Sequence, residues 1–498
     1  MKSFKLIKGL IFILFICLFF AACSENNVQQ EQDITIGSED EKPDTESPEV
    51  PVIERPNIPD GTDYGGYEFR VLVPDVGFTR IVDEIYAEEE NGDTMNDAVY
   101  KRNRLIEDML NIKITTVSGT GHWLTSMPSK TKKVIQAGED AWDIIDGVYQ
   151  PPLAYEGCLV NLYGVPNMDL TKPWWDQRMI ENLSHKKSKL YYIIGDIGYY
   201  GLTGNFCLIF NKQLFEANGL EYPYEKVKQG KWTFDEFAKL AKAGTRDLNG
   251  DGIMDENDQW GFWTHSASTT LSLYGSGERI VGIDQNGLPS ANNLSERHIQ
   301  AVMASTVLFD DNSVFIVMNQ KKGYDSLEKA LSDGRMLLYV TTLASIPNYR
   351  SFEFDFGVLP LPKFDENQKE YYCHASSYSS GASSVSIPVT NVNLERTGMI
   401  LEAMSGYSTD IIVPAFIDIS LKSKFARDEE SAEMIEIILK SKSFDLGMEY
   451  GWGRIAWGDL YWVYSDFINE TFVSSLEKVW NKTEIDTEKF ITTFDEMN

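Results

Sequence analysis

The order of predicted strands and helices after residue 66 is the feature that most restricts the fold of this chain. Residues 67–73 and 112–117 have strand patterns, and an amphipathic helical pattern over 95–110 separates them. A further helical pattern leads to a short buried strand at residues 142–146. Strand–helix–strand alternation predicts an α/β domain with a largely parallel sheet, because parallel neighbours need a crossover connection. Ligands of such sheets bind at the carboxyl ends of the strands.

Charge and histidine content argue against several classes of function. The 498 residues include 45 basic and 75 acidic side chains, which gives a formal charge of −30. A nucleic-acid-binding protein needs a basic face to displace counterions, so nucleic acid is not an expected partner. Five histidines, all far apart in the sequence, argue against a metal enzyme built on histidine ligands. No segment after residue 22 is expected to be apolar over the length that crosses a bilayer.

The first 22 residues have the pattern of a secretory signal peptide. Three lysines precede an apolar run over residues 10–20, and Phe-Ala-Ala-Cys at residues 20–23 resembles a bacterial lipobox. This resemblance implies that Cys23 is lipidated and becomes the first residue of the mature chain. The predicted location is therefore the extracytoplasmic face of the cell membrane, through a lipid anchor. The alternative is an ordinary secretory signal in which Cys23 is incidental.

Residues 23–62 are predicted to be a disordered acidic tether. Residues 24–60 hold 11 acidic residues, 2 basic residues and 5 prolines, without apolar periodicity. Such a composition cannot offset the chain entropy lost on folding, because it has too little apolar surface to bury. A flexible spacer between a lipid anchor and a folded body would have this composition.

Four further segments carry a resemblance to a known family. They are residues 143–162, with Asp-Ile-Ile followed by Gly-Cys-Leu-Val-Asn-Leu, residues 210–220 (FNKQLFEANGL), residues 231–237 (KWTFDEF) and residues 356–362 (FGVLPLP). Together they resemble the extracellular solute-binding proteins of ABC importers, the family that includes maltose-type sugar binders. The resemblance implies a type II periplasmic-binding-protein-like fold, with two α/β lobes joined by crossing strands and a solute held in the cleft between them.

Both lobes are expected to be discontinuous in sequence. The first lobe is predicted over residues 63–200 and 358–408, and the second over residues 201–357 and 409–498. The resemblance implies that the protein captures a solute, with a sugar or oligosaccharide favoured, and delivers it to the permease subunits of an ABC transporter. No catalytic activity is expected of such a receptor.

Residues 247–258 (DLNGDGIMDEND) have the spacing of a twelve-residue calcium loop. Positions 1, 3, 5, 9 and 12 carry side-chain oxygens and position 7 offers a carbonyl; the predicted ligands are Asp247, Asn249, Asp251, Ile253, Asp255 and Asp258. Gly252 at position 6 permits the sharp turn that such a loop needs. Asp258 is one methylene shorter than the usual glutamate, which lowers the expected affinity. A structural Ca²⁺ ion is predicted, and the alternative is a solvated turn that binds no ion.

Aromatic and hydroxyl side chains in predicted loops are the candidate ligand contacts. A sugar ring stacks its flat C–H face on an aromatic ring, and its hydroxyls need hydrogen-bond donors and acceptors. The predicted ligand-binding residues are Tyr149, Trp174, Tyr199, Trp263, Ser376, Tyr378 and Trp452. The alternative for each aromatic residue is packing in the core.

Two other functions stay open on the sequence alone. A surface glycoside hydrolase would need a pair of carboxylates, and nothing singles out one pair among 75 acidic residues. A sensory binding protein would report solute occupancy to a membrane kinase, and its sequence would look the same. The sequence does not select the solute.

Overall fold

The computed structural model describes residues 54–75, 82–255, 257–264, 271–291, 295–304, 314–316, 329–375, 383–422, 429–452 and 472–497. The chain divides into two units, Met1–Ile53 and Glu54–Asn498, and the fold below is that of the second unit. The predicted signal peptide, the predicted lipidation site Cys23 and most of the predicted tether lie outside the described residues.

The described strands are β1 (Tyr67–Pro74), β2 (Ile112–Gly119), β3 (Ile144–Asp146), β4 (Phe206–Asn211), β5 (Trp260–Thr264), β6 (Val281–Ile283), β7 (Pro289–Ala291), β8 (Val314–Ile316), β9 (Met336–Thr342), β10 (Phe356–Leu359), β11 (Cys373–His374), β12 (Val385–Ser386) and β13 (Lys442–Ser443). The described helices are α1 (Val82–Ile85), α2 (Thr94–Leu110), α3 (Ser126–Gln136), α4 (Pro151–Tyr155), α5 (Gln177–Leu183), α6 (Tyr199–Thr203), α7 (Lys212–Ala217), α8 (Tyr224–Lys228), α9 (Phe234–Ala243), α10 (Leu271–Gly275), α11 (Glu296–Met303), α12 (Leu394–Lys422), α13 (Glu429–Lys440), α14 (Leu446–Tyr450) and α15 (Phe472–Glu496). Among the described residues, 3₁₀ segments lie at Leu162–Gly164 and Leu343–Ser351.

The first sheet has the strand order β12-β3-β1-β2. Strand β1 pairs in parallel with β2 and with β3, whereas β12 is antiparallel to β3 at the edge. Helices α2 and α3 provide the crossovers, as the strand–helix–strand alternation predicts. Helix α2 begins at Asp93, whose carboxylate accepts the backbone N–H groups of Met95 and Asn96. It ends at Asn111, which adopts the left-handed conformation of a helix stop.

The second sheet has the strand order β10-β4-β9-β5-β8 and is mixed. Strand β4 is antiparallel to both β9 and β10, and β5 is parallel to β8 and β9. Successive residues of β4 enter different clusters, since Leu208 and Phe210 pack on one face and Cys207 and Ile209 on the other. Both faces of this sheet are therefore buried, in keeping with its run of apolar residues.

Helix α9 forms where the sequence predicts it. The Thr233 side chain accepts the backbone N–H of Glu236, which is one half of the predicted capping box. Its buried residues Phe234, Phe237 and Ala241 follow the helical period and face the second sheet.

Helix α12 corrects one expectation from the sequence. Its segment Leu394–Ile417 is long and apolar enough to cross a membrane by length and composition, so the expectation that no such segment follows residue 22 was wrong. More than half of that segment is buried within the protein. Ile400, Leu401 and Met404 are fully buried, and the helix packs on α2. Its hydropathy is that of a core helix in this protein.

The C-terminal helix joins the core of the first sheet. Trp480, Phe490 and Phe494 on α15 share one apolar cluster with the first-sheet strands. The ring of Tyr191 meets the ring of Phe494 edge to face, with 5.2 Å between the centroids. The lobe boundaries at residues 200, 357 and 408 stay a prediction.

Candidate functional site

Buried polar residues gather at the carboxyl end of β3. We call this group the strand-end site and define it by Glu84, Arg102, Asp146, Gln150 and Ser384. Each is at most 2% exposed to solvent. Carboxyl ends of parallel strands are where α/β proteins bind ligands, so this position agrees with the expectation from the sequence. Loop residues 147–150 lead directly from β3 into α4.

Arg102 is the one cation of the strand-end site. Its Nη1 donates to the carbonyl oxygen of Ile197 at 2.8 Å and to the Ser408 hydroxyl at 3.0 Å, and its Nη2 donates to the carbonyl oxygen of Glu84 at 3.0 Å. Burial lowers the pKa of Arg102 to about 10, while the nearby Glu84 and Asp146 carboxylates oppose that shift. The guanidinium therefore stays charged at neutral pH and ties α1, α12 and the segment before α6 to α2.

The carboxyl groups of Glu84 and Asp146 both interact electrostatically with the Arg102 guanidinium. Burial, together with the Glu84 carboxylate, raises the pKa of Asp146 well above its ordinary value, while the Gly147 backbone N–H and Arg102 oppose the rise. Glu84 Oε2 accepts the backbone N–H of Tyr200 at 2.8 Å. This bond joins α1 to α6, where the predicted contact Tyr199 lies.

Several polar atoms near the end of β3 are buried without a hydrogen bond. Asp146 Oδ2, Gln150 Oε1, Ser384 Oγ and Ser386 Oγ have no partner within the described part of the chain. The Gln150 Nε2, by contrast, donates to the carbonyl oxygens of Ile145 and Ser384, which fixes the amide beside β12. An unsatisfied buried polar atom costs about 1–3 kcal/mol, so such atoms indicate a place for water or for a polar ligand.

Four of the predicted ligand-binding residues have described side chains. Tyr149 is buried, and its hydroxyl donates to the backbone carbonyl oxygen of Glu449 at the end of α14. Trp174 and Trp452 are buried in the cluster around the first sheet. Tyr199 is half-buried at the start of α6, with its ring centroid 4.5 Å from that of Tyr200. Their contact with ligand stays a prediction.

Three further predicted residues are described less fully or not at all. Trp263 lies on β5, where its backbone pairs with Phe315 and Tyr339, and its side chain lies outside the described residues. Ser376 and Tyr378 fall in the segment 376–382, which also lies outside them. Of the seven predicted contacts, Tyr149 and Tyr199 lie next to the strand-end site.

Sequence reasoning missed most of the strand-end site, although one signal was available. Arg102 stands between Val99 and Ile106 on the apolar stripe of α2, at helical spacing from both. The side chain of a charged residue on the apolar face of a helix is either buried or extends to the solvent. A buried charge needs polar partners, so such a residue indicates a buried polar site. Gln150 and Ser384 carry no such signal, because their burial depends on the pairing of β12 with β3.

The predicted calcium loop, residues 247–258, folds as a series of tight turns. The Asp247 carboxylate accepts the backbone N–H of Gly252 at 2.8 Å and that of Gly250 at 2.7 Å. These bonds lower the pKa of Asp247. In the same way the Asp251 carboxylate accepts the backbone N–H of Ile253 at 2.7 Å. Loop N–H groups thus bond to carboxylate oxygens that the prediction assigns to Ca²⁺.

Hydrogen bonds between loop residues also hold the last position of the loop, Asp258. Asp258 is buried, and its carboxylate accepts the backbone N–H groups of Leu248 at 2.9 Å and Asp255 at 2.7 Å. The side-chain oxygen of Asn249 accepts the backbone N–H of Asp251. Among the described residues, no group of three or more His, Cys, Asp or Glu side chains is placed to hold a metal ion. The side chains as they stand do not form a converged ligand set, and the calcium ion stays a prediction from spacing.

Comparison with known proteins gives one family and many similar structures. The sequence pattern of the family described as bacterial extracellular solute-binding protein matches residues 107–405. A search of curated protein sequences gives no match. A sugar transporter from Rhizobium etli, solved in an open conformation, is 12% identical with a TM-score of 0.57, over 84% of this chain and 99% of that one.

Two further solved structures are similar to this chain in fold. The apo form of RafE from Streptococcus pneumoniae is 16% identical with a TM-score of 0.53, over 84% of this chain and 97% of that one. The GacH receptor of Streptomyces glaucescens, solved unliganded and with acarbose, is 12% identical with a TM-score of 0.51, over 86% of this chain and 99% of that one. At these identities the similarity shows the fold, which is the two-lobed α/β fold of periplasmic binding proteins.

Proposed function

The chain belongs to the family of bacterial extracellular solute-binding proteins, and from this premise we propose that its solute is a sugar or oligosaccharide. The protein captures the solute on the extracytoplasmic side and delivers it to the permease subunits of an ABC transporter. Catalytic turnover of the solute is not part of this proposal. The similar structures include a sugar transporter and a receptor solved with acarbose, which favours a carbohydrate over other solutes.

The unpartnered polar atoms of the strand-end site carry the proposal. A carboxyl oxygen, an amide oxygen and a hydroxyl are buried there without partners among the described residues. A sugar presents several hydroxyls, each able to donate and accept, and so could satisfy such a set. Burial raises the pKa of Asp146, which disfavours its charged form relative to a carboxyl group in water. These features suit a neutral polyhydroxylated solute better than a charged one.

Closure of the two lobes would make binding selective. A ligand shifts a two-state equilibrium only through contacts that exist in one of the states. In a two-lobed receptor those contacts form between lobes when the cleft closes. We place Tyr199 and the strand-end site on one side of the solute and the predicted contact Trp263 on the other.

A thermal-shift screen followed by calorimetry tests the choice of solute. The full chain without residues 1–22 is melted with glucose, maltose, maltotetraose, raffinose and acarbose, and with amino acids and dipeptides as the competing class. At a ligand concentration 100 times its dissociation constant, binding stabilises the native state by about 2.7 kcal/mol. We expect at least one carbohydrate to raise the melting temperature. A shift with amino acids or dipeptides and none with carbohydrates would contradict the proposal.

Attachment to the membrane through Cys23 is the second part of the proposal. It rests on the lipobox-like residues 20–23 and on the acidic composition of residues 24–60. Cys23→Ser should release the protein from the membrane fraction and leave its melting temperature unchanged. A Ser variant that still sediments with membranes at high salt would overturn the anchor and leave the choice of solute standing.

A further inference from the structure

Two chain segments pass side by side between the apolar cores of the two sheets. Cys373 on β11 belongs to a core cluster of the second sheet, whereas Ala375 belongs to the cluster around the first sheet. Ile438 near the end of α13 and Phe444 after β13 are divided between the two cores in the same way. Strands β11 and β13 pair in parallel at this point, and we call them the crossing pair. The crossing pair therefore links the two lobes.

The crossing pair carries a buried cation, Lys442 on β13. Its Nζ lies 2.8 Å from the Asp176 Oδ2, and the two side chains are 7% and 8% exposed. Asp176 is fixed in the first lobe: its Oδ1 accepts the backbone N–H of Met179 at 2.9 Å, and its own backbone N–H donates to the carbonyl oxygen of Ile194 at 2.9 Å. Met179 and Ile194 are both buried in the cluster around the first sheet. The ion pair thus ties the crossing pair to that cluster.

A cavity of about 330 Å³ lies beside this ion pair. Its lining comes from two sides: Trp175 and Ile194 belong to the cluster around the first sheet, and Leu439 at the end of α13 packs against a cluster of the second sheet. Protein interiors are close-packed, so unfilled space between two cores leaves room for one core to move against the other. Asp176 and Lys442 also line the cavity, so the ion pair joins the two sides at its wall.

Asp196 of the first lobe connects this region with the strand-end site. Its carboxylate accepts the Thr409 hydroxyl of α12 at 2.7 Å, and it lines the same cavity as Lys442. Burial raises the pKa of Asp196 to about 6, whereas the Thr409 hydrogen bond and the Lys442 charge oppose the rise. The carbonyl oxygen of the next residue, Ile197, accepts a hydrogen bond from Arg102 at 2.8 Å. Residues 196 and 197 thus lie between Lys442 and Arg102, and contiguous contacts of this kind can carry coupling between two sites.

We propose that the Lys442–Asp176 ion pair holds the crossing pair against the first lobe and so limits the relative motion of the two lobes. Lys442 and Asp176 are positioning residues, which act on solute affinity without touching the solute. A receptor whose lobes keep a narrow range of positions loses less conformational freedom when it binds. The effect on affinity rests on the proposed function, whereas the effect on lobe motion does not.

Lys442→Met tests the proposal, with Arg70→Met as its matched control. Arg70 on β1 pairs with the buried Asp143 at 3.2 Å, and this ion pair lies within the first lobe, since Asp143 directly precedes β3. Each variant removes the cation beside a buried carboxylate, so both should lower the melting temperature. Lys442→Arg restores the charge and is the rescue variant. If Lys442→Met does not fold, the double variant Asp176→Asn with Lys442→Met replaces it, because it leaves no unpaired carboxylate and keeps an oxygen that caps α5.

Distances between two spin labels measure the motion of the lobes without any solute. The chain from residue 23, with Cys23→Ser, carries the labels at Lys113→Cys on β2 and Lys239→Cys on α9, which are both exposed positions. The native cysteines that the structure describes are all buried, which protects them from the label. Lys442→Met should give a broader distribution of distances than the parent, whereas Arg70→Met and Lys442→Arg should match the parent.

Calorimetry with maltotetraose and raffinose, at a temperature where every variant is folded, measures the consequence for binding. Lys442→Met should bind the sugar that the parent binds about fivefold more weakly, whereas Arg70→Met and Lys442→Arg should stay within about twofold of the parent. Parent-like distances or parent-like affinity for Lys442→Met would overturn the proposal, and so would equal changes in Lys442→Met and Arg70→Met. If the parent binds no carbohydrate of the screen, the proposed function fails, and the label distances alone then decide whether the ion pair limits the motion.

Discussion

The two sheets differ in how their surroundings satisfy buried polar atoms. Around the second sheet the core is aromatic, and its unpaired buried oxygens are scattered: Asn205 Oδ1 before β4 and Asn218 Oδ1 after α7 lack partners among the described residues, whereas the Trp232 Nε1 donates to the carbonyl oxygen of Pro360 at 2.9 Å. The Asn211 side chain likewise accepts the N–H of Leu214 and donates to the carbonyl oxygen of Gly334. At the strand-end site of the first sheet, buried oxygens lack partners among the described residues, and two carboxyl groups share one guanidinium.

On the proposed function, this difference distinguishes a ligand-binding region at the end of β3 from the hydrophobic core around the second sheet. Unsatisfied buried polar atoms reduce stability, so a protein retains them where they serve another purpose. On the proposed function, the polar groups at the end of β3 bind the solute. Around the second sheet the unsatisfied oxygens of Asn205 and Asn218 are not grouped at one strand end, and the apolar burial there contributes stability. Changes that probe this contrast are given below in order of expected size.

Removal of the Arg102 charge should give the largest effect. Arg102→Met removes a buried guanidinium that donates to the backbone carbonyl oxygens of Ile197 and Glu84. A hydrogen bond from a charged group contributes about 1.5–3 kcal/mol, so the loss of both should cost about 3–5 kcal/mol. Arg104→Ala is the matched control, since Arg104 is about half exposed and pairs with Glu107 at the surface of the same helix. Its loss should be at most about 1 kcal/mol. Urea unfolding measures both, and equal losses would contradict the contrast.

Glu402 on α12, which bonds to Trp175 in the cluster around the first sheet, should also make stability depend on pH. Burial raises its pKa from 4.5 to about 7, against hydrogen bonds such as the one from the Trp175 Nε1. Because the folded pKa lies above the unfolded one, the stabilising contribution is complete below about pH 4.5 and is lost as the pH rises through about 7. At about 1.4 kcal/mol per pKa unit, with allowance for partial solvent screening, the parent should lose about 2–3 kcal/mol more than Glu402→Gln between pH 4.5 and pH 8.

Glu395→Gln is the control for that measurement. Glu395 is exposed in the first turn of α12, so its variant should follow the parent across the whole pH range. Chemical unfolding at several pH values gives the three curves. Parallel curves for the parent and Glu402→Gln would contradict the role of Glu402 in the pH dependence of stability.

Trp263→Ala tests whether the ring of Trp263, on β5 of the second sheet, contacts the solute. If its ring stacks on the sugar, the variant should bind about tenfold more weakly, which is about 1.4 kcal/mol, with little loss of stability. A core tryptophan would behave in the opposite way and cost about 3–5 kcal/mol of unfolding free energy. Calorimetry and melting of the same sample separate these results.

The calcium loop should give the smallest effect. If residues 247–258 bind Ca²⁺, free ion at about fivefold its dissociation constant should stabilise the protein by about 1 kcal/mol. Chelator should reverse this stabilisation, and Asp251→Ala should abolish the response. A melting curve that does not change with chelator would leave a solvated turn, in agreement with the backbone bonds to Asp247 and Asp251.

Local sequence patterns predicted the positions of strands and helices. The buried contacts that depend on long-range packing were not predicted. The alternation over residues 67–146 predicted the parallel part of the first sheet, and Thr233 with Glu236 predicted the start of α9. Both depend on residues close in sequence. The family resemblance added the two-lobed fold, since the quoted motifs span both sheets.

The strand-end site was predictable in position and not in composition. Parallel strands ending at Asp146 indicated where a ligand would bind, and Tyr149 was chosen there by its place after the strand. The buried contacts of Arg102 with Ile197 and Ser408 join residues 95 and 306 positions apart, which no local pattern reveals. The burial of α12 similarly depends on its packing against α2.

The most direct test of the strand-end site compares two buried serines whose hydroxyls lack partners in the described structure. Ser384 lies at the strand-end site, and Ser405 lies on α12. Removing either hydroxyl should leave the melting temperature equal or raise it, because an unsatisfied buried group is lost. With the tightest-binding sugar of the screen, calorimetry should show Ser384→Ala about three- to tenfold weaker than the parent, since one hydrogen bond contributes about 0.5–1.5 kcal/mol, and Ser405→Ala unchanged. Parent-like affinity for Ser384→Ala, or equal losses for both variants, would contradict the assignment of the solute to the end of β3.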